Sequence, residues 1–201
     1  AIVQGATHPD PDELGVYHHA PHARSQVIDP PDVMAQTCNI AYPRAVLERL
    51  GGFDEGLGTI GGEDLDLAER ARRDGVEVVA APEVLTYHAV DVVGLRRRLA
   101  IAWRWRDMPG VARRHPALRR AATLGVFWKP RHAWMTLALA GLATRRPLLA
   151  LPWARAALPS YGPGARGRLR AVTELPGQAA VDAVELAALA RGSVRHRTLF
   201  L

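Results

Sequence analysis

Residues 61–69, GGEDLDLAE, set Glu63 and Asp64 side by side behind a glycine pair, with Asp66 and Glu69 close after them. Two kinds of chemistry suit such carboxylates. Acids in a first helical turn are stabilised by the helix dipole and by the unpaired backbone N–H groups there, so the four read as a helix start. The same placement suits a general base. A carboxylate fixed at a helix start, ionised at neutral pH and next to a loop that glycines leave free to move, accepts a proton from a hydroxyl as that hydroxyl attacks. Low basicity suffices if the proton moves late, when the attacking oxygen already carries positive charge. Spacing alone favours capping and leaves catalysis open.

The elements that must position these groups follow from periodicity and punctuation. Residues 1–5 read as a short strand, and residues 6–32, rich in Pro, Asp and His, as a long surface loop. VMAQTCNIAY, residues 33–42, reads as a strand. Pro43 opens a short helix, PRAVLERL, which Gly51 and Gly52 stop. LDLAERARRDG is helical, with Leu65, Ala68 and Ala71 on one face, Arg72 and Arg73 in the last turn and Gly75 as the stop. VEVVAAP and VLTYHAV read as short extended segments around Pro82.

Beyond residue 94 the pattern turns helical and the charge reverses. Residues 1–94 hold 16 Asp and Glu against 6 Arg, whereas residues 95–201 hold 4 Asp and Glu against 20 Lys and Arg. Trp103, Trp105, Trp128, Trp134 and Trp153, all the tryptophans of the chain, lie in the basic half. Two functional parts are therefore expected, 1–94 and 95–201. The uncharged run AWMTLALAGLAT, residues 133–144, is followed by Arg145, Arg146 and PLLALPWA. As a helix it rises about 18 Å, against roughly 30 Å of hydrocarbon, so it does not span a bilayer alone. Flanking Arg and Trp fit an interfacial or re-entrant segment at an anionic membrane surface. Residues 181–190 form another apolar-faced helix. The charge would also suit nucleic acid, but no recognition motif is present and apolar runs between arginines suit lipid better, so no nucleic-acid partner is expected.

The single Cys38 excludes an internal disulfide framework. The chain opens on an apolar run with no initiator Met and no signal-peptide pattern, which suggests a fragment whose upstream part is missing. His8, His18, His19 and His22 form a His-bearing tract without helical His pairs or cysteine, so no metal site is assigned to it.

The order of motifs carries more information than any one of them. NIAYPRAVLERLGGFDE, then GGEDLDLAERARRDG, then VEVVAAPEVLTYH, over residues 39–88, resembles the C-terminal half of a family 2 glycosyltransferase catalytic domain of the GT-A fold. VQGATHPDPDE resembles the segment before it. The resemblance covers roughly residues 1–90. It implies an α/β fold: a partial GT-A domain, the acceptor-side half, followed by a mainly α-helical tail.

It also implies inverting transfer of a sugar from a nucleotide-sugar donor to an acceptor hydroxyl. The acceptor would be a glycan or lipid-linked molecule of the cell envelope, and the site would be the cytoplasmic face of the plasma membrane. By resemblance Asp64 is the catalytic base, and Glu63 bonds sugar hydroxyls. Gly61 and Gly62 let the backbone approach the sugars, and Asn39 faces the donor. His88 is a ligand of a divalent metal, Mg2+ or Mn2+, that neutralises the leaving diphosphate. Read without the resemblance, His88 is a strand-end histidine bonded to a backbone carbonyl, Asn39 satisfies neighbouring backbone groups, and Phe53 is a packing plug. Asp10-Pro11-Asp12 matches the family's Asp-x-Asp literally but follows the VQG strand, so it is not assigned that role; the nucleotide-binding half is expected to be absent. The rival expectation is a non-catalytic membrane-binding or interaction module derived from a truncated transferase.

Overall fold

The computed structural model describes residues 1–20, 22–57, 62–158 and 165–201, with the side chains of residues 166 and 167 left aside. The chain separates into two compact units, Ala1–Val92 and Val93–Leu201. The first mixes strands and helices; the second is helical among its described residues. A mixed α/β chain with a helical second part is thus observed.

In the first unit β1 (Ile2–Pro9) is the middle strand of a three-stranded sheet. It pairs antiparallel with the two-residue β3 (Ile40–Ala41) and parallel with β4 (Val78–His88). Parallel neighbours need a long crossover, and here it carries α2 (Arg44–Leu50) and α3 (Glu63–Arg73). Between β1 and β3 lie α1 (Leu14–His19) and β2 (Ala23–Arg24), the latter paired with β5 (Asp91–Val92). Ile2, Val46 and Ala71 bury a core between sheet and helices, with Ile40, Tyr42, Leu50, Val76 and Val78 packed on it.

The helix boundaries follow the sequence signals. Gly51 takes φ 72° behind α2, a left-handed conformation that glycine adopts at little cost. Gly75, at φ 77°, ends α3, and the Val76 N–H reaches back to the Ala71 carbonyl at 3.0 Å. The expected face of α3 is the buried one, with Leu65, Ala68 and Ala71 fully covered and Leu67 beside them.

Three expectations are corrected. The strand read over residues 33–42 exists only at Ile40–Ala41. Ala35 takes φ 49° in a turn closed by its N–H to the Asp32 carbonyl, and Thr37–Asn39 form a 3-10 turn. Short polar side chains there bond other segments instead of extending the ladder. The loop read over residues 6–32 holds the second half of β1, a 3-10 turn at Pro11–Glu13 capped by the Asp10 carboxylate, and α1. The Glu13 carboxylate accepts the Val90 N–H at 2.6 Å, tying that turn to the segment after β4. Finally, the two extended segments around Pro82 are one strand. The register against β1 jumps between Gly5 and Ala6, so the residues around Pro82 bulge and pairing then resumes. A bulge is where a strand tolerates proline.

The second unit contains α4 (Leu95–Trp103), α5 (Met108–Arg114), α6 (Pro116–Ala121), α7 (Pro130–Ala143), α8 (Leu151–Ala157) and α9 (Ala165–Arg195), the last with Pro176 inside it. Met135, Ala138, Trp153, Ala157 and Leu186 form a core where α7, α8 and α9 meet. The chain end is docked: the Leu201 N–H bonds the Val126 carbonyl at 2.8 Å, and Phe200 is fully buried. No described helix is long and apolar enough to cross a membrane.

Candidate functional site

The N-terminus of α3 is set by Gly62 at φ 99°, whose carbonyl accepts the Asp66 N–H at 2.9 Å. A side chain at that φ is strained, so the glycine is what allows the loop to turn directly into the helix. Glu63 and Asp64 occupy the first turn, both half-buried. The Thr37 hydroxyl donates to one Asp64 carboxylate oxygen at 3.0 Å, and the Thr37 N–H approaches the other at 3.4 Å. Burial raises the Asp64 pKa above the usual aspartate value and the neighbouring Glu63 charge adds to this, while the Thr37 bonds work against it. Asp64 is thus fixed, half-accessible and more basic than a solvated aspartate.

The other two acids of the motif are neutralised. Asp66 is buried and receives Arg70 at 2.9 Å; Glu69 is buried and receives Arg72 at 2.6 Å. Arg70 also donates to the Leu50 carbonyl at 2.8 Å and the Gly52 carbonyl at 2.7 Å, fastening α3 to the end of α2. The motif therefore divides its work: Asp66 steadies the arginine that ties α3 to α2, Glu69 pairs with Arg72 on the same helix, and Glu63 and Asp64 stand half-buried at its start.

Tyr42 is the neighbour that spacing did not announce. Its pKa is pushed up to about 12, by burial first and the Asp64 charge second, with Arg72 and Arg70 opposing. Its hydroxyl is buried without a hydrogen-bond partner among the described residues. Thr37 was also missed, because the residues around it read as a strand. Tyr42 lies within the quoted NIAYPR segment, but nothing in its type there signals proximity to a carboxylate.

Asn39 lies in the same 3-10 turn as Thr37. Its side-chain amide donates to the Ala6 and Val84 carbonyls, each at 2.7 Å, across the point where the β1–β4 register jumps. Both amide hydrogens are committed to backbone, which leaves the side-chain oxygen for any ligand. A Cβ on Gly5 would collide with this amide and with the Val84 carbonyl oxygen. Gly61 lies outside the described residues.

His88 ends β4 opposite Pro9. Its Nδ1 lies 2.8 Å from the Ala89 carbonyl, and the Ser25 hydroxyl donates to the His88 carbonyl at 2.9 Å. That is the strand-end arrangement; it leaves only Nε2 as a ligand atom, for a metal such as Mg2+ or Mn2+ that prefers several oxygen donors. No three His, Cys, Asp or Glu side chains among the described residues are grouped to hold a cation. The described residues therefore do not form a shell for the implied divalent metal. Of the His tract, His8 faces Asp29 at 3.6 Å and His19 bonds the Gly15 carbonyl at 2.8 Å.

The second unit holds a buried polar network that the sequence did not disclose. Glu185 is bonded by Lys129 at 2.7 Å and by the fully buried His132 at 3.0 Å. Asp182, also fully buried, accepts from Arg131 at 3.0 Å, from the Trp153 indole N–H at 2.9 Å and from Gln178 at 2.8 Å. Burial alone would raise the Glu185 pKa, but the His132 hydrogen bond and Lys129 override it and bring it down to about 2. These groups join the start of α7 to α9. Trp153 is thus a core residue, and Trp105 and Trp128 pack edge to face at 4.2 Å; only Trp103 and Trp134 are exposed among the five.

Comparison of the chain with known protein families, with characterised proteins and with solved structures found no match.

Proposed function

We propose that the first unit is the acceptor-side half of an inverting, family 2-type glycosyltransferase domain of the GT-A fold. In the reaction an acceptor hydroxyl attacks the anomeric carbon of a nucleotide-sugar. The new C–O bond forms as the bond to the nucleoside diphosphate breaks, and the hydroxyl proton passes to the Asp64 carboxylate. Glu63 and the Gly61–Gly62 backbone contact sugar hydroxyls, and Asn39 contributes its free side-chain oxygen. The observation that carries this reading is Asp64 itself. Of the four motif acids it is held by a hydroxyl rather than a cation and has a raised proton affinity. Those are the properties a general base needs, and a purely structural cap does not. His88 offers one ligand atom to a divalent metal, Mg2+ or Mn2+, which would stabilise charge on the leaving diphosphate; the remaining donors would have to come from elsewhere.

The second unit is proposed to attach the protein to the cytoplasmic face of an anionic membrane, where a lipid-linked or envelope glycan acceptor would lie. All four of its carboxylates are in ion pairs: Asp107 with Arg195, Glu174 with Arg170, Asp182 with Arg131 and Glu185 with Lys129. Most of its cationic charge is left uncompensated. That observation also favours the second reading, a membrane-binding module without catalysis.

The test is nucleoside diphosphate release from a panel of nucleotide-sugars in the presence of a lipid-linked glycan extract, by a form of the protein that carries the nucleotide-binding half. Turnover that disappears in Asp64→Asn with an unchanged circular dichroism spectrum supports the enzyme. Turnover that survives the substitution removes Asp64 from the role.

A further inference from the structure

The turn between α7 and α8 exposes leucines where a chain reversal in water ordinarily carries polar residues. Leu142 is 61% exposed, Leu148 74% and Leu151 60%, with Leu139 one turn earlier at 48%. Arg145 and Arg146 lie between them, both exposed. Gly141 explains how the ends come together: a Cβ there would meet the Leu149 side chain at 2.7 Å and the Arg146 carbonyl at 2.8 Å.

Three of the last four carbonyls of α7 are satisfied from within the reversal. The Ala140 carbonyl accepts the Thr144 N–H at 3.0 Å and its hydroxyl at 2.9 Å. The Gly141 carbonyl accepts the Arg146 N–H at 2.7 Å, and the Leu142 carbonyl accepts the Arg145 N–H at 3.2 Å. Open carbonyls are what normally keep a helix end in water. No Asp or Glu occurs between Asp107 and Glu174.

We infer that this helix–turn–helix end enters the interfacial layer of an anionic lipid surface, with Leu139, Leu142, Leu148 and Leu151 among the upper acyl chains and Arg145 and Arg146 at the phosphates. It rests on the membrane-attachment part of the proposed function and names the element responsible. Lipid fits both halves of the patch. A nucleic acid would pair with the arginines and leave the leucines in water, and a second copy of the same end would bring like charges together. Entry is shallow, of the order of 5–10 Å, as for other interfacial elements.

The experiment is co-sedimentation of the full chain with phosphatidylcholine vesicles, with and without phosphatidylglycerol. Binding is expected only to the anionic vesicles and to weaken with salt. Leu142→Ser combined with Leu148→Ser is expected to weaken it roughly tenfold or more at an unchanged circular dichroism spectrum. Arg145→Glu with Arg146→Glu has an effect in the same direction. A polarity-sensitive dye on Leu148→Cys, in a Cys38→Ser background, shifts to the blue when anionic vesicles are added. Binding with an unshifted dye and no effect of the leucine substitutions overturns the insertion; if Arg96→Glu, Arg97→Glu and Arg98→Glu together then abolish binding, attachment stands and another surface carries it. Absence of binding to every vesicle, or binding to duplex DNA alone, overturns both.

Discussion

Asp64 and Glu185 are carboxylates in helices of the same chain, and their surroundings move them in opposite directions. Burial raises the proton affinity of Asp64 and the neighbouring Glu63 charge adds to it, while the Thr37 hydroxyl opposes the rise without cancelling it. Glu185, more deeply buried, faces Lys129 and His132, and its proton affinity falls to about 2. Burial penalises both, so the difference lies in the partners. The acidic first unit leaves one carboxylate poised to take a proton. The basic second unit sets each of its four carboxylates against a cation, within one helix or between elements, and presents cations outward. A carboxylate with a matched cation beside it is a fastening; one held by a neutral hydroxyl next to a like charge is available for chemistry.

The largest expected effect tests the first half of that contrast. Asp64→Asn should lower transfer by on the order of 10²–10⁴-fold, the usual share of a general base, measured as nucleoside diphosphate release. The second half is tested by Glu185→Ala. It leaves the buried His132 and the half-exposed Lys129 without their acceptor and should cost about 1–3 kcal/mol, read by denaturant unfolding. In the wild type, the contribution of Glu185 is present above pH 4.5 and is lost as pH falls through its folded value of about 2. An acid titration of stability that is flat over that window would break the comparison.

Gly5→Ala probes the scaffold under the site, because the added methyl meets backbone and the Asn39 amide. About 1–3 kcal/mol of destabilisation is expected from thermal melts, in line with overpacking elsewhere. The smallest effect has the opposite sign. Asp64 holds its proton more tightly when folded, so stability falls as pH rises from 3.8 through its raised value. Asp64→Asn keeps an acceptor for Thr37 and removes that loss. The variant should therefore melt slightly higher than wild type at pH 7, and the gap should close as pH drops below 3.8. A variant that melts lower at pH 7 would make Asp64 a fastening like Glu185.

Helices α2 and α3 of the first unit were legible because their signals are local. Gly51 and Gly75 stop α2 and α3 by left-handed φ, and Leu65, Ala68 and Ala71 repeat at helical spacing. What was not legible depended on distant partners. VMAQTC has a strand-like composition, yet Thr37 and Asn39 turn aside to bond Asp64 and the sheet. Pro82 looked like a strand break, but the jump in register against β1 absorbs it. The buried network needs Lys129 and His132 to meet Glu185, and Arg131 to meet Asp182, across more than fifty positions, and no periodicity records that. Trp153 illustrates the same point: its type suggested an interface, and its indole N–H is instead spent on Asp182.

Asn39 has a consequence for how this chain can change over time. Its amide acts as an extra rung between Ala6 and Val84 where main-chain pairing skips, and the rung fits only because Gly5 carries no side chain. The dependence runs one way. A drifting sequence can give up the rung while Gly5 stays, but bulk at Gly5 is barred twice, by the Asn39 amide and by the main-chain oxygen of Val84. Gly5 is therefore the more tightly held of the two positions, and losing the rung does not release it.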